Sequence, residues 1–110
     1  MAYDEAFADR VRERVGREPG IAERRMFGGL AMMVDGNMAV VVRGVGGLMV
    51  RVDPAESEQL QTGLGVQAAV MRGRPLRGWI TVDPSACAKD VDLGRWVDRG
   101  VRYARSLPST

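Results

Sequence analysis

Three observations predict an α+β fold built in two layers, an antiparallel sheet with helices packed on it. Apolar residues recur with a helical period near both ends of the chain. Between those ends, glycine-rich turn signals cut the sequence into strand-length runs that follow one another in consecutive hairpins. A strand-to-helix switch, Val52-Asp53-Pro54, interrupts the runs midway. The order is therefore helix, three or four strands, helix, two strands, helix, and hairpin-linked strands of this kind favour helices gathered on one face of the sheet.

Over residues 3 to 15, Tyr3, Phe7, Val11 and Val15 recur every four residues. Asp4, Glu5 and Asp9 come early and Arg10, Arg12, Arg14 and Arg17 late, which suits the helix dipole at both ends. Gly16 and Pro19-Gly20 stop this helix. Residues 21 to 52 read as a strand meander. Ile21 to Phe27 is a strand, Gly28-Gly29 a bulge or a close approach of backbones, and Leu30 to Val34 the next strand. Asp35-Gly36-Asn37 is a hairpin turn signal, Met38 to Arg43 returns, and Gly44 to Gly47 turns the chain into Leu48 to Val52. In that last strand Leu48, Val50 and Val52 share one face while Met49 and Arg51 share the other.

Asp53, Pro54 and Glu56 form a capping box that opens a short helix ending by Thr62-Gly63. The same punctuation recurs at Asp83-Pro84. Val66 to Met71 and Leu76 to Val82 make a second strand pair, joined through Arg72-Gly73-Arg74-Pro75. The last helix begins at Asp90 or Asp92 and runs to Ser106. On a helical wheel Leu93, Trp96, Val97, Val101, Ala104 and Leu107 fill one arc. Gly100 lies within that arc, so another element must pack close to it; Arg95, Arg99 and Arg102 point the other way.

A chain of 110 residues, 45% hydrophobic and 27% charged, is expected to form a single domain over residues 1–110 with one modest core. Sixteen basic residues against 14 acidic ones leave a net charge of +2, no nucleic-acid signature by itself. There is no histidine, which excludes Ser-His-Asp and Cys-His chemistry, His-ligated zinc and an imidazole pH switch. The single Cys87 excludes an internal disulfide and lacks the second Cys or His that a catalytic thiol needs. The acidic start, Met1 to Glu5, does not read as a signal peptide, and no apolar run reaches the length of a membrane span. A cytoplasmic, soluble protein is expected. Met26, Met32, Met33, Met38, Met49 and Met71 read as adaptable core filling or a pliable partner surface in preference to a soft-metal site.

The stretch Arg24-Arg25-Met26-Phe27-Gly28-Gly29-Leu30, with Gly36-Asn37-Met38 and Met71-Arg72-Gly73-Arg74-Pro75-Leu76-Arg77-Gly78-Trp79, resembles the N-terminal domain of the TfoX/Sxy competence regulators. The resemblance runs from about Phe7 to Leu107. It implies the same two-layer fold and a non-catalytic role in bacterial transcription regulation of the competence type, exerted by contact with a protein partner such as a DNA-bound activator. Full-length family members carry a further C-terminal domain, so a stand-alone form of the N-terminal domain is expected. No cofactor and no metal are expected.

The residues expected to meet the partner are Arg24, Arg25, Gly28, Gly29, Arg72, Arg74 and Arg77, arginine forks facing acidic groups. A strand sends Arg24 and Arg25 to opposite faces, and Phe27 and Trp79 are expected to hold the sheet against its helices. A first alternative is direct DNA binding. Arg72-Gly73-Arg74-Pro75 matches the core of an AT-hook, whose arginines seek the narrow minor groove of A·T-rich duplexes, and Arg95, Arg99 and Arg102 would add phosphate contacts. Asp98, four residues before Arg102, offers partial neutralisation of that stripe. A second alternative is a small-ligand-binding protein or enzyme; it needs a pocket, which no P-loop, dinucleotide fingerprint or titratable constellation predicts. The edges of so small a sheet also leave room for a homodimer.

Overall fold

The computed structural model describes residues 3–26 and 28–109. The chain runs α1 (Glu5–Val15), β1 (Ile21–Met26), β2 (Gly29–Val34), β3 (Asn37–Val42), β4 (Leu48–Arg51), α2 (Ser57–Leu60), β5 (Val66–Met71), β6 (Arg74–Val82) and α3 (Asp90–Ser106). All neighbouring strands pair antiparallel, in the order β1-β2-β3-β4-β6-β5. The α+β, two-layer expectation holds, with four strands before α2.

Local chemistry sets the boundaries. Asp4 caps α1, its Oδ1 accepting from the amides of Ala6 (2.9 Å) and Phe7 (3.3 Å). Asp35 and Gly36 hold φ of +50° and +87° between the paired residues Val34 and Asn37, the two-residue hairpin geometry that matches strand twist. Arg72 and Gly73 repeat it at +54° and +78° between Met71 and Arg74.

That second turn moves a boundary. Arg74 and Pro75 belong to β6 and not to a loop. Proline is tolerated there because β4 pairs only with Trp79–Val82, so residues 74 to 77 run on beyond β4 as a two-stranded ribbon with β5. The expected capping box at α2 does not close either. Asp53 Oδ1 accepts from the amide of Ala55 (2.9 Å), and the helix starts only at Ser57. Glu56 reaches across to Arg99 of α3 instead (3.5 Å). At the recurrence of that punctuation, Asp83-Pro84 opens a single 3-10 turn over Pro84–Cys87.

The main core lies between the sheet and the helices. Val11 and Val15 of α1 and Leu93, Val97 and Val101 of α3 pack on the strand residues that face them, among them Met32, Val40, Leu48, Val50 and Ile80. Leu48, Val50 and Val52 fall on this side, as their alternation predicts. The register of β2 against β3 slips between Met32 and Met33, which leaves Ala39 as the extra residue of a β-bulge. Its carbonyl is what α3 rests on. A Cβ placed on Gly100 would stand 2.6 Å from Ala39 O, the close neighbour that the wheel demands.

The anchoring role expected of Phe27 falls outside the described residues. Trp79 does not hold the sheet against its helices. It pairs with Arg51, whose side chain alternates away from the helix layer, and packs with Ala31, Met33, Val41 and Ala69 on the opposite side of the sheet.

Candidate functional site on the open sheet face

Apolar side chains from all three helices join the main core, and none joins the second cluster across the sheet. Among the described residues, no helix covers that second face. Strand alternation builds it: Arg24 lies opposite Ala31, Met33 opposite Met38, Val41 opposite Met49, and Arg51 opposite Trp79. Ala31, Met33, Val41, Ala69 and Trp79 form a buried floor, and Met26, Met38, Met49 and Leu76 are half-buried around it. Open as the face is, Val41 keeps 3% of its surface and Trp79 9%. Long flexible thioethers can lie over their neighbours and do the covering. Arg51 covers Trp79, its guanidinium carbon 5.4 Å from the ring centroid, and donates from Nη1 to the carbonyl of Met38 (3.3 Å).

Charge divides sharply between the two layers. The six strands carry five arginines, Arg24, Arg25, Arg51, Arg74 and Arg77, against one acid, Glu23. Glu23 lies opposite Met32 and so faces the helices, where it accepts from Arg12 at 2.7 and 3.1 Å. The ion pairs among the described residues sit in the helix layer and at its ends. They join Arg10 to Asp90, Arg12 to Glu5, Asp9 and Glu23, Arg14 to Asp98, Arg99 to Glu56, and Arg105 to Glu18 and Asp35. Hydrogen bonds from Arg12 to Glu23, then to Asp9 and Glu5, raise its already high pKa. Those to Asp98 do the same for Arg14. Five of the seven arginines of α1 and α3 are thus paired among the described residues, Arg95 and Arg102 being the exceptions. None of the five strand arginines pairs with an acid among the described residues, and the small net charge conceals an open face whose strand charges, Arg24, Arg51 and Arg74, are all positive.

The expected partner residues fall into two patches. Arg24 and Arg25 are exposed on opposite sides of β1, Arg24 toward the open face and Arg25, opposite Leu30, toward the helices. Gly28 has φ of +71°, and a Cβ on Gly29 would stand 2.2 Å from the carbonyl oxygen of Val42, so hairpin geometry accounts for both glycines. Arg72, Arg74 and Arg77 are exposed on the β5–β6 ribbon. That ribbon is the other edge of the sheet from β1, and its turn lies at the opposite strand end from Gly28. The seven residues therefore occupy diagonal corners, with the methionine floor between them. Sequence reading missed that floor as a unit. The pairing of Met49 with Arg51 on one strand face was visible, but only the bulge at Ala39 brings Met38 into phase with Val41.

Arg95, Arg99 and Arg102 are exposed on the outer side of α3. Asp98 does not neutralise Arg102; it bonds Arg14 of α1, Nε to Oδ1 at 3.1 Å, because the two helices pack side by side. A half-open groove of about 570 Å³ runs along the arginine stripe, lined also by Trp96, Tyr103, Asp53, Glu56, Asp92 and Asp98. Its four acids against three arginines select neither sign of ligand. Cys87 is buried and donates to the carbonyl of Asp83 (3.3 Å); burial pushes its thiol up to about 11, so it is protonated at neutral pH. No group of three His, Cys, Asp or Glu is arranged to hold a metal ion among the described residues. No helix among them is long and apolar enough to cross a membrane.

Residues 13–104 match the family model of the TfoX N-terminal domain. No curated protein gives a significant match.

Proposed function

The chain belongs to the TfoX N-terminal domain family, and we propose that it is a non-catalytic regulatory or adaptor domain that works by protein contact through its open sheet face. One observation carries this reading. Among the described residues, a sheet face with a methionine floor and no helical cover is bordered by arginines that lack acidic partners, while most arginines of the helix layer are paired. Pliable methionine surfaces accommodate partner side chains of differing shape, and unpaired arginine forks supply orientation. The process regulated is transcription of the competence type, in the cytoplasm, with the partner drawn from the transcription machinery or an activator.

Direct DNA binding through Arg72-Gly73-Arg74-Pro75 is the weaker reading. A minor-groove arm works as a flexible extended segment, whereas Arg72 and Gly73 form a tight turn and Arg74 and Pro75 a strand. Fluorescence anisotropy with labelled A·T-rich and G·C-rich duplexes separates the two. Weak binding that vanishes at physiological salt and ignores sequence supports the protein-contact reading. Sub-micromolar binding that survives that salt and is lost on replacing Arg72, Arg74 and Arg77 by Ala overturns it.

A further inference from the structure

We infer that the occupant of the open face is an acidic amphipathic helix of a partner protein, presenting a stripe of bulky apolar side chains flanked by carboxylates. The inference rests on the protein-contact reading above and names the chemistry of the partner. Ala31 and Val41 are almost wholly buried beneath the half-buried methionines, while Arg24 and Arg74 stand exposed beside them. Flexible thioethers over an apolar floor can shift to admit a protruding apolar stripe. Strands spaced about 4.8 Å apart put β1 roughly 14 Å from β4, room for one helix of about 10 Å diameter. Acids along one flank of that helix would meet Arg24 on β1. Acids along the other would meet Arg51 on β4 and Arg74, which shares the Leu76 side of the ribbon two residues away.

The same features disfavour the other occupants. A second copy would set one arginine-bordered face against another, with Glu23, the only strand acid, turned away. Trp79 is the only aromatic in the described floor and lies beneath Arg51, so nucleic-acid bases have no platform on which to stack. A lipid surface takes protruding apolar side chains, whereas those of this face are buried or half-buried.

The test uses methionine methyl NMR on the full chain, titrated at physiological salt with a synthetic amphipathic helical peptide carrying Leu and Phe on one face and Glu on both flanks. Two further probes are the same peptide with Lys on its flanks and a short single-stranded oligonucleotide. Shifts are expected at Met26, Met33, Met38 and Met49 with the acidic peptide, while Met32, sealed in the helix-side core, stays put. The double variant Arg24→Glu/Arg74→Glu should weaken that binding about tenfold, or ~1.4 kcal/mol, and should gain affinity for the Lys peptide. Both positions are exposed, and an unmoved Met32 signal reports that the variant is folded. If the Lys peptide binds the native face as well as the acidic one, the acidic-partner inference falls while the open face survives as a contact surface. If only the oligonucleotide moves these methyls, the inference falls with the protein-contact reading. If none of the probes does, the open face is not the contact surface and both fall.

Discussion

Replacing Gly29 by Ala tests whether the glycine pair serves the hairpin or a ligand. The new Cβ would stand 2.2 Å from the carbonyl oxygen of Val42 and 3.3 Å from Val41 Cγ1, whereas ordinary contact begins near 3.4 Å. The shortfall against the oxygen is 1.2 Å (3.4 less 2.2), and the obstacle is backbone. β2 lies between β1 and β3, so it cannot retreat without disturbing a ladder on either side. Overpacking of this kind costs about 1–3 kcal/mol, and each ladder hydrogen bond lost adds about 1 kcal/mol. A total of about 3 kcal/mol or more is expected, a fall in Tm on the order of 15 °C for a domain of this size. Gly28 is a different case: nothing lies within 4 Å of a Cβ there, and only its φ of +71° resists substitution. Gly28→Ala should cost about 1–2 kcal/mol, and Gly28→Asn less. Urea unfolding followed by far-ultraviolet circular dichroism measures all three. A Gly29→Ala protein within ~0.5 kcal/mol of the native one, or one less affected than Gly28→Ala, would refute the close-approach argument.

The Arg72→Ala/Arg74→Ala/Arg77→Ala protein should melt within a few degrees of the native one, since exposed positions change stability by about ±0.5 kcal/mol; a large loss in a thermal melt would contradict their surface placement. Met32→Ala, in the sealed helix-side core, should lose about 2–5 kcal/mol in urea unfolding, and Met49→Ala, half-exposed on the open face, distinctly less. An equal loss at both would mean that the open face is as tightly packed as the core. Cys87 should resist Ellman's reagent at neutral pH in the folded protein and react promptly once unfolded. Burial raises its folded pKa to about 11 from the ordinary 9.0, so its contribution to stability is complete below the unfolded value and fades as pH climbs through the folded one. A fast native reaction would show that the thiol is not enclosed.

Local chemistry carried most of the fold. The helical repeats, the Asp35-Gly36 turn and the alternation of Leu48, Val50 and Val52 are each decided by neighbours in sequence, because period and turn conformation are properties of a few consecutive residues. Gly100 went further, since a glycine inside an apolar arc implies a close neighbour, although not that it would be Ala39. Where an element's end depends on its partner, the sequence was silent. Pro75 is a strand residue only because β4 stops short beside it, and Glu56 stands at the N-cap position of α2 and meets Arg99 of α3 where a capping box was expected.

The site belongs to tertiary structure almost entirely. The sequence by itself determined that arginines and methionines were available, and that Met49 and Arg51 share a strand face. It could not show which arginines would be neutralised, because the ion pairs join residues as far apart as Arg14 and Asp98 or Arg105 and Glu18. Nor could it show that Arg24 and Arg72 would stand at diagonal corners, with the floor between them set in phase by a bulge. Side-chain type is local, but electrostatic cancellation acts through space, and only the fold decides which charges are close enough to cancel.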